Sequence, residues 1–273
     1  MTTSTPSPVY YARRFNEYMS ELWRRRDFVW FLAKGNIKAR NASTVLGLAW
    51  WVLNPLLLGL VYFFIFGLIF PTQRDIAYLL SGIFVFHFSS QSMSGGANSI
   101  IGNSKLLVNI RFPRLILPIA FLLESTFGFL ASLVVLYLIV IPFADVIPGP
   151  SILWLFVALP LQIVFNLGLA AATARLAVPF RDITNLIPYL TRIWLYMSPI
   201  IWPLSMLEGV SSTFQSLFRL NPMFPIIAVY RTALLGYPLD QADLVAMVAW
   251  CVVVGIVGVA MFIKYEGRMV RYL

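Results

Sequence analysis

An apolar stretch at residues 45–70 most strongly limits the folds that this chain can adopt. It holds twenty-six consecutive residues without a charge, and Asn54 is its only strongly polar side chain. A helix rises about 1.5 Å per residue, so this run can cross a hydrocarbon core about 30 Å thick with some tilt. Pro55 frees a backbone carbonyl that neighbouring helices must satisfy. The stretch therefore predicts a transmembrane helix with a functional face, against the plainer alternative of a membrane anchor.

The composition places the whole chain in the membrane class. Of its 273 residues, 60% are hydrophobic and only 11% are charged, against about 25% charged in soluble domains. The net charge of +9 would fit nucleic acid only if a basic soluble domain were present, and none is. The single cysteine excludes a disulfide framework and a thiolate metal site. We therefore expect a membrane protein that has no nucleic-acid partner.

The N-terminal region predicts a helix that lies on the membrane surface. Residues 10–26 alternate apolar and charged side chains with helical spacing, and residues 28–40 begin apolar, break at Gly35 and become basic. Apolar and basic faces together suit the interface of an anionic leaflet. A solvated helix that packs on a partner is the alternative. Residues 1–44 are thus predicted to be a cytoplasmic segment with an amphipathic interface helix.

The remainder predicts an all-α integral membrane domain at residues 45–265 and a cytoplasmic tail at residues 266–273. The segment at 208–242 is too short and too often interrupted by proline to cross twice, so we expect short re-entrant gate helices there. Six stretches are apolar enough and long enough to span: 45–70, 76–97, 115–141, 152–178, 186–207 and 243–263.

The distribution of basic residues predicts the orientation of these spans. With both termini inside, the inner segments hold sixteen Lys and Arg residues and the outer segments hold three. Arg192 is the one basic residue left within a span. Because cytoplasmic loops are enriched in Lys and Arg, we expect both termini in the cytoplasm.

The sequence lacks the residues that membrane enzymes and ion-driven carriers need. It has no P-loop motif, so it cannot hold nucleotide phosphates in that way. His87 is the only histidine, and Glu124 is the only carboxylate within a predicted span. No His, Cys or carboxylate cluster has metal-ligand spacing. We therefore predict no catalytic residue, no metal site and no cofactor on this chain.

Short motifs around the spans resemble those of a known family. Residues 46–55 resemble the L-G-x-x-W-x-x-L-N-P opening of the first span in ABC-2 type permeases that export polysaccharides. The similarity covers residues from about 30 to 236, in the family's order. Four further segments resemble that family: R-F-P-R at 111–114, F-R-D at 180–182, S-P at 198–199 with W-P at 202–203, and N-P at 221–222 with Y-R at 230–231.

The resemblance implies a homodimer of six-span subunits bound to two copies of a separate ABC ATPase, which would bind ATP and Mg²⁺. The interface helix at 28–40 and the loop at 98–112 would meet the ATPase, with these coupling residues: Asn103, Ser104, Lys105, Arg111 and Arg114. The segment after the fifth span would gate the outer mouth of the channel through Asn221, Pro222, Tyr230 and Arg231.

The first and fifth spans would line the channel in such a dimer. The predicted pathway residues are Trp51, Asn54, Tyr62, Phe66, Tyr189, Arg192 and Tyr196. Trp51, Tyr62 and Phe66 recur at helical spacing, and aromatic faces stack weakly on sugar rings, although ordinary bundle packing would give the same spacing. Two residues depart from the family pattern: Trp202 replaces Tyr, and Arg192 replaces a neutral polar residue. Arg192 could snorkel to the interface, pair with Glu124 or bind pyrophosphate.

These observations predict the permease subunit of an ABC exporter in the cytoplasmic membrane of a bacterium. The substrate would be a polyprenyl-pyrophosphate-linked cell-surface polysaccharide, because the nearest members of the family resemble exporters of O-antigen, teichoic acid or cell-wall galactan. The alternative is the permease of an ABC-2 type drug or lipid exporter. A membrane-embedded transferase is a more distant third reading.

Overall fold

The described part of the chain is mostly helical. The computed structural model describes residues 8–40, 44–69, 76–110, 112–144, 149–202, 218 and 220–269, and it contains no strand in these ranges. Arg111, the side chain of Phe66 and the stretch at 203–217 lie outside the described residues. The ten α-helices of the described part are α1 (Pro8–Arg24), α2 (Arg26–Arg40), α3 (Trp50–Ile69), α4 (Ile76–Ile101), α5 (Ser104–Asn109), α6 (Ile116–Ala144), α7 (Leu155–Ala177), α8 (Ile183–Tyr196), α9 (Met223–Leu235) and α10 (Gln241–Met269).

Four helical segments among the described residues are long and apolar enough to cross a membrane by themselves. They are Gly47–Ile65, Ile116–Leu138, Pro150–Ala177 and Gln241–Gly267. The first and third of them begin with a short 3₁₀ turn that continues into α3 and α7. The prediction of an all-α, multi-pass membrane protein is therefore confirmed, whereas the count of six spans stays a prediction.

The predicted second span is the central helix of the bundle. At 26 residues α4 is long enough to cross, and seventeen of those residues are buried against α3, α6, α7, α8 and α9. Its polar side chains are satisfied internally: the Ser92 hydroxyl donates to the Phe88 carbonyl at 2.8 Å. Gln162 of α7 donates to the Val85 carbonyl at 2.9 Å. Because protein rather than lipid surrounds α4, it can carry more polar residues than a lipid-facing span.

Small residues around Gly95 and Gly96 let α4 approach its neighbouring helices closely. A Cβ atom at Gly96 would overlap the backbone of Ala170, and one at Gly95 would overlap the ring of Phe121 on α6. These small residues are therefore needed for the close packing of α4 in the bundle.

The predicted fifth span begins as a short helix. The 14 residues of α8 extend about 21 Å, which is less than a hydrocarbon core about 30 Å thick. Beyond α8 the chain turns at residues 197–202 before it leaves the described part. The 13-residue α9 is also too short to cross, and most of it is buried. It ends at Gly236, whose φ of 73° lies in the left-handed region that favours glycine. A short helix between the fifth and sixth spans is thus present as predicted.

The N-terminal helices pack under the bundle at one end. Val29 and Ala33 of α2 are buried with Phe112, Ile116 and Phe262 in a second apolar cluster. The predicted break at Gly35 is wrong, because α2 continues unbroken to Arg40. An exposed glycine costs a helix only about 1 kcal/mol, and packing of the flanking residues on α6 offsets that cost. We call this end of the bundle, formed by α1, α2, α5 and the C-terminal ends of α7 and α10, the basal end.

Candidate substrate pathway and partner surfaces

The predicted pathway residues of α3 and α8 meet at two tyrosines. The hydroxyl oxygens of Tyr62 and Tyr196 lie 3.4 Å apart, a longer separation than that of a strong O–H···O hydrogen bond. Tyr189 and Tyr196 are 64% and 51% exposed in the single chain. Arg192 lies between them on the same face of α8. The structure therefore brings four residues that the sequence assigned to the pathway onto one open face.

The opposite side of α8 holds the helix against the bundle. Ile187 and Leu195 are buried, and the Trp194 ring packs edge-on against Phe86 of α4 with ring centroids 5.3 Å apart. The Trp194 indole also lies 6.5 Å from the ring of Phe165 on α7. Because this side is fixed by packing, the side chains of the open face are held in one direction.

Two predicted pathway residues occupy the first turns of α3. Trp51 packs on α6, where its ring fills the space that a side chain at Gly128 would need. Asn54 is exposed. Trp51 is therefore a packing residue in the single chain, whereas Asn54 is open to solvent, lipid or a partner.

An ion pair with Glu124 is one of the three roles that the sequence left open for Arg192. Glu124 is only 2% exposed within α6, and Arg192 is exposed and makes no ion pair with a described residue. Arg192 lies nine residues after the start of α8 at Ile183, about 14 Å along the helix. Snorkelling and anion binding remain as its possible roles.

Asn221 joins the predicted gate to the end of α8. Its side-chain oxygen accepts hydrogen bonds from the Trp194 indole N–H at 2.9 Å and from the Met223 N–H at 3.0 Å. Its side-chain nitrogen donates to the Met197 carbonyl and to the Ser198 hydroxyl, each at 3.0 Å. Pro222 follows as the residue immediately before α9. A displacement of α8 would therefore be passed directly to α9.

The other two predicted gate residues are buried in the bundle. Tyr230 is fully buried, and its ring lies edge-on to Phe129 of α6 at 5.7 Å. The Arg231 guanidinium donates to the Tyr78 carbonyl at 3.1 Å and lies 3.3 Å from the centre of the Tyr78 ring. They attach α9 to α4 and α6 and do not line an opening in the single chain. Their assignment to the gate stays a prediction.

Trp202, which departs from the family pattern, folds back on α8. Its indole N–H donates to the Tyr196 carbonyl at 3.0 Å, and its ring lies 5.2 Å from that of Phe218. Trp202 therefore fixes the end of the helix that carries the open face.

At the basal end, Arg114 is held within the chain. Its backbone N–H donates to the Glu266 carboxylate at 2.8 Å, and its guanidinium donates to the Glu266 carbonyl. The hydroxyl of Tyr18 accepts the Leu115 N–H at 3.3 Å and donates to Glu266. Burial, and then the Glu266 charge, raise the pKa of Tyr18 well above its ordinary value, so Tyr18 remains a donor at physiological pH.

This junction of α1, α6 and α10 was missed from the sequence. Glu266 is the one acid among the basic residues near the C-terminus. This isolated acid was the one feature of the sequence that could have indicated a buried contact there. Of the other predicted coupling residues, Lys105 is exposed, Ser104 starts α5, and Asn103 donates its side-chain N–H to the Ser99 carbonyl at 2.8 Å. Lys105 is thus free to contact a partner, whereas Arg114 is already bound within the chain.

Comparison with known proteins identifies the family. The family model described as ABC-2 type transporter matches residues 28–235, from α2 to the last residue of α9. The chain belongs to the ABC-2 type transporter family. The match includes the open face of α8 and the Asn221 junction, and it omits α1 and α10. As a member of this family, the chain is a membrane permease subunit of an ABC transporter, and ATP hydrolysis belongs to a separate subunit.

Similar proteins carry a more specific name. The chain is 28% identical over 238 residues to the O-antigen export system permease protein RfbA of Myxococcus xanthus, covering 85% of this chain and 90% of that protein. Two proteins of the same name from Klebsiella pneumoniae are each 24% identical over 253 residues, covering 90% of this chain and 95% of theirs. The similarity to these ABC-2 permeases thus extends over most of both chains.

Proposed function

We propose that this ABC-2 permease exports a polyprenyl-pyrophosphate-linked cell-surface polysaccharide across the cytoplasmic membrane of a bacterium. Two copies of the chain assemble with two copies of an ABC ATPase, which bind ATP and Mg²⁺. Both termini and the basal end face the cytoplasm, in agreement with the excess of Lys and Arg in the inner segments. The names of the similar proteins, all O-antigen export permeases, support this substrate class.

The observation that carries the proposal is the open face of α8. Tyr189 and Tyr196 flank Arg192, and Tyr196 meets Tyr62 of α3. Aromatic rings offer weak apolar contact to sugar rings, which suits a chain that must slide. A guanidinium binds phosphate oxygens two at a time. The face therefore combines surfaces for the two chemical parts of a lipid-linked glycan.

A second copy of the chain would enclose this face. Only 11% of the residues in the most apolar window of the first span are buried in the single chain. Arg192 is also exposed, and an arginine directed at lipid in a span is costly, at about 2.5–3.5 kcal/mol on insertion scales. Apposition of α3 and α8 from two copies removes both problems and forms a channel between them.

The substrate class can be tested with the purified complex. We expect a lipid-linked glycan to increase ATP hydrolysis severalfold when the permease and its ATPase are reconstituted in vesicles, because substrate in the channel favours the conformational cycle. Hydrophobic drugs and the unglycosylated polyprenyl phosphate serve as matched controls. Stimulation by the drugs, with none by the glycan, would favour the drug or lipid exporter instead.

ATPase docking can be tested at the loop between α4 and α6. Lys105 is exposed. Replacing Lys105 and Arg111 together by Glu is expected to uncouple ATP hydrolysis from export, because the new carboxylates would repel acidic contacts on the ATPase. Membrane insertion should be unchanged. The charge-conserving pair Lys105→Arg and Arg111→Lys is the control. Undiminished export by the Glu variant would rule out docking through these two residues.

A further inference from the structure

Two cations at the basal end share one aromatic ring. The guanidinium carbon of Arg175, near the end of α7, lies 4.4 Å from the centre of the Tyr265 ring on α10. The ammonium of Lys264, the preceding residue of α10, lies 5.8 Å from the same centre. Two positive charges are therefore concentrated where the ends of two closely packed spans meet.

No described residue neutralises these charges. Neither Arg175 nor Lys264 makes an ion pair or a side-chain hydrogen bond within the described part of the chain. The Nε atom of Arg175 is buried and has no hydrogen-bond partner among the described residues. A guanidinium has five N–H donors. The face of an aromatic ring attracts its charge but does not accept hydrogen bonds from these donors as an oxygen atom would. A buried donor without an acceptor is unfavourable, so binding of an anion beside these two cations would be favourable.

The position of the site identifies the membrane level at which that anion would lie. Arg175 is near the end of the candidate span Pro150–Ala177, and Lys264 is near the end of Gln241–Gly267. Basic side chains at the ends of spans lie among the lipid headgroups. This holds in either orientation of the protein.

The surface beside the site is apolar, as contact with an acyl chain requires. Val253, Val257 and Met261 of α10 are exposed by 53%, 52% and 36%. They share a helical face with Lys264, at four-residue and three-residue intervals. An aliphatic strip thus leads from the cations toward the middle of the span. A free phosphate ion would use the cations but gain nothing from this strip.

We propose that Arg175 and Lys264 bind the phosphate of an anionic phospholipid. The Tyr265 ring orients the guanidinium so that its free edge faces the phosphate oxygens, and Lys264 adds a second charge. The acyl chains lie on the exposed strip of α10. The site is formed by α7 and α10, and the proposed substrate pathway is formed by α3 and α8, so this lipid is distinct from the transported one.

Native mass spectrometry of the full-length protein in detergent tests this proposal with phosphatidylglycerol and phosphatidylcholine as probes. The wild type should retain phosphatidylglycerol preferentially. Each of Arg175→Gln and Lys264→Gln should weaken its binding about fivefold, and the double variant more than tenfold, since each basic residue near an anionic lipid adds about that factor. Lys105→Gln, which removes one exposed cation elsewhere at the basal end, should bind as the wild type does.

Three results of this experiment would contradict lipid binding at Arg175 and Lys264. Equal retention of the two lipids, or unchanged binding by the double variant, would overturn it. Displacement of phosphatidylglycerol by excess inorganic phosphate would show a phosphate-ion site without lipid specificity, and would also overturn it. Lys264 is exposed, so the Lys264→Gln variant should remain folded. It therefore still tests the proposal if the Arg175 variant aggregates. Because the readout is lipid binding, failure here leaves the proposed export function untouched.

Discussion

Replacing Arg192 by Gln should reduce export at least tenfold and up to about a hundredfold, while insertion and assembly with the ATPase stay normal. This range corresponds to loss of one charge-assisted interaction worth about 1.5–3 kcal/mol. Arg192→Lys should restore little, because an ammonium cannot bind two phosphate oxygens side by side. Export by cells that carry only the variant gene, together with the yield of the purified complex, measures both effects.

The control for Arg192 is another arginine of the same segment. Arg181 is exposed just before α8 begins, so Arg181→Gln removes the same charge outside the open face and should export normally. Full export by Arg192→Lys would mean that a snorkelling charge is sufficient, and the phosphate-binding role would fall. Normal export by Arg192→Gln would exclude both roles.

Replacing Gly168 by Ala should destabilise the protein strongly, although it adds only one methyl group. A Cβ atom at Gly168 would overlap the carbonyl of Val254, and one at Gly258 would overlap the carbonyl of Gly168. The colliding atoms are backbone, so α7 and α10 must separate along their contact. Overpacking of this kind costs about 1–3 kcal/mol or more. We expect a clear fall in the thermal unfolding midpoint and a smaller monodisperse yield.

Gly35→Ala provides the matched control for that experiment. Gly35 is an exposed helical glycine in α2, and a Cβ atom there would meet no atom within 4 Å. The substitution should therefore leave the thermal unfolding midpoint unchanged or raise it, because Ala stabilises a helix by up to about 1 kcal/mol relative to Gly. If Gly168→Ala behaved in the same way as Gly35→Ala, the close approach of α7 and α10 would be wrong.

The sequence anticipated which residues share the open face of α8, whose role as a pathway stays a prediction, but it did not anticipate how the neighbouring residues pack. Helical spacing put Tyr189, Arg192 and Tyr196 on one face of α8, and the meeting of Tyr62 with Tyr196 agrees with a pathway between the first and fifth spans. Spacing could not separate pathway from packing. The ring of Trp51, at the same periodicity, packs on Gly128 instead.

The sequence by itself determined the membrane class and the main helices. Long uncharged runs have no stable alternative to a helix in lipid, because every backbone group must be bonded internally. That argument is local, and it placed α3, α6, α7 and α10 close to where they lie. The family resemblance was also available from the sequence, since it depends on short motifs in a fixed order.

Only the tertiary structure decided which polar side chains form hydrogen bonds or ring contacts with distant residues of the same chain. Arg231 rests on Tyr78, 153 positions away, and Arg114 is bound by Glu266, 152 positions away. No local pattern encodes such pairs, because each depends on where two distant helices cross. For the same reason, the sequence predicts α4 as one span among six, and only its packing shows that it lies at the centre of the bundle. Its neighbours, rather than its own sequence, exclude lipid from it.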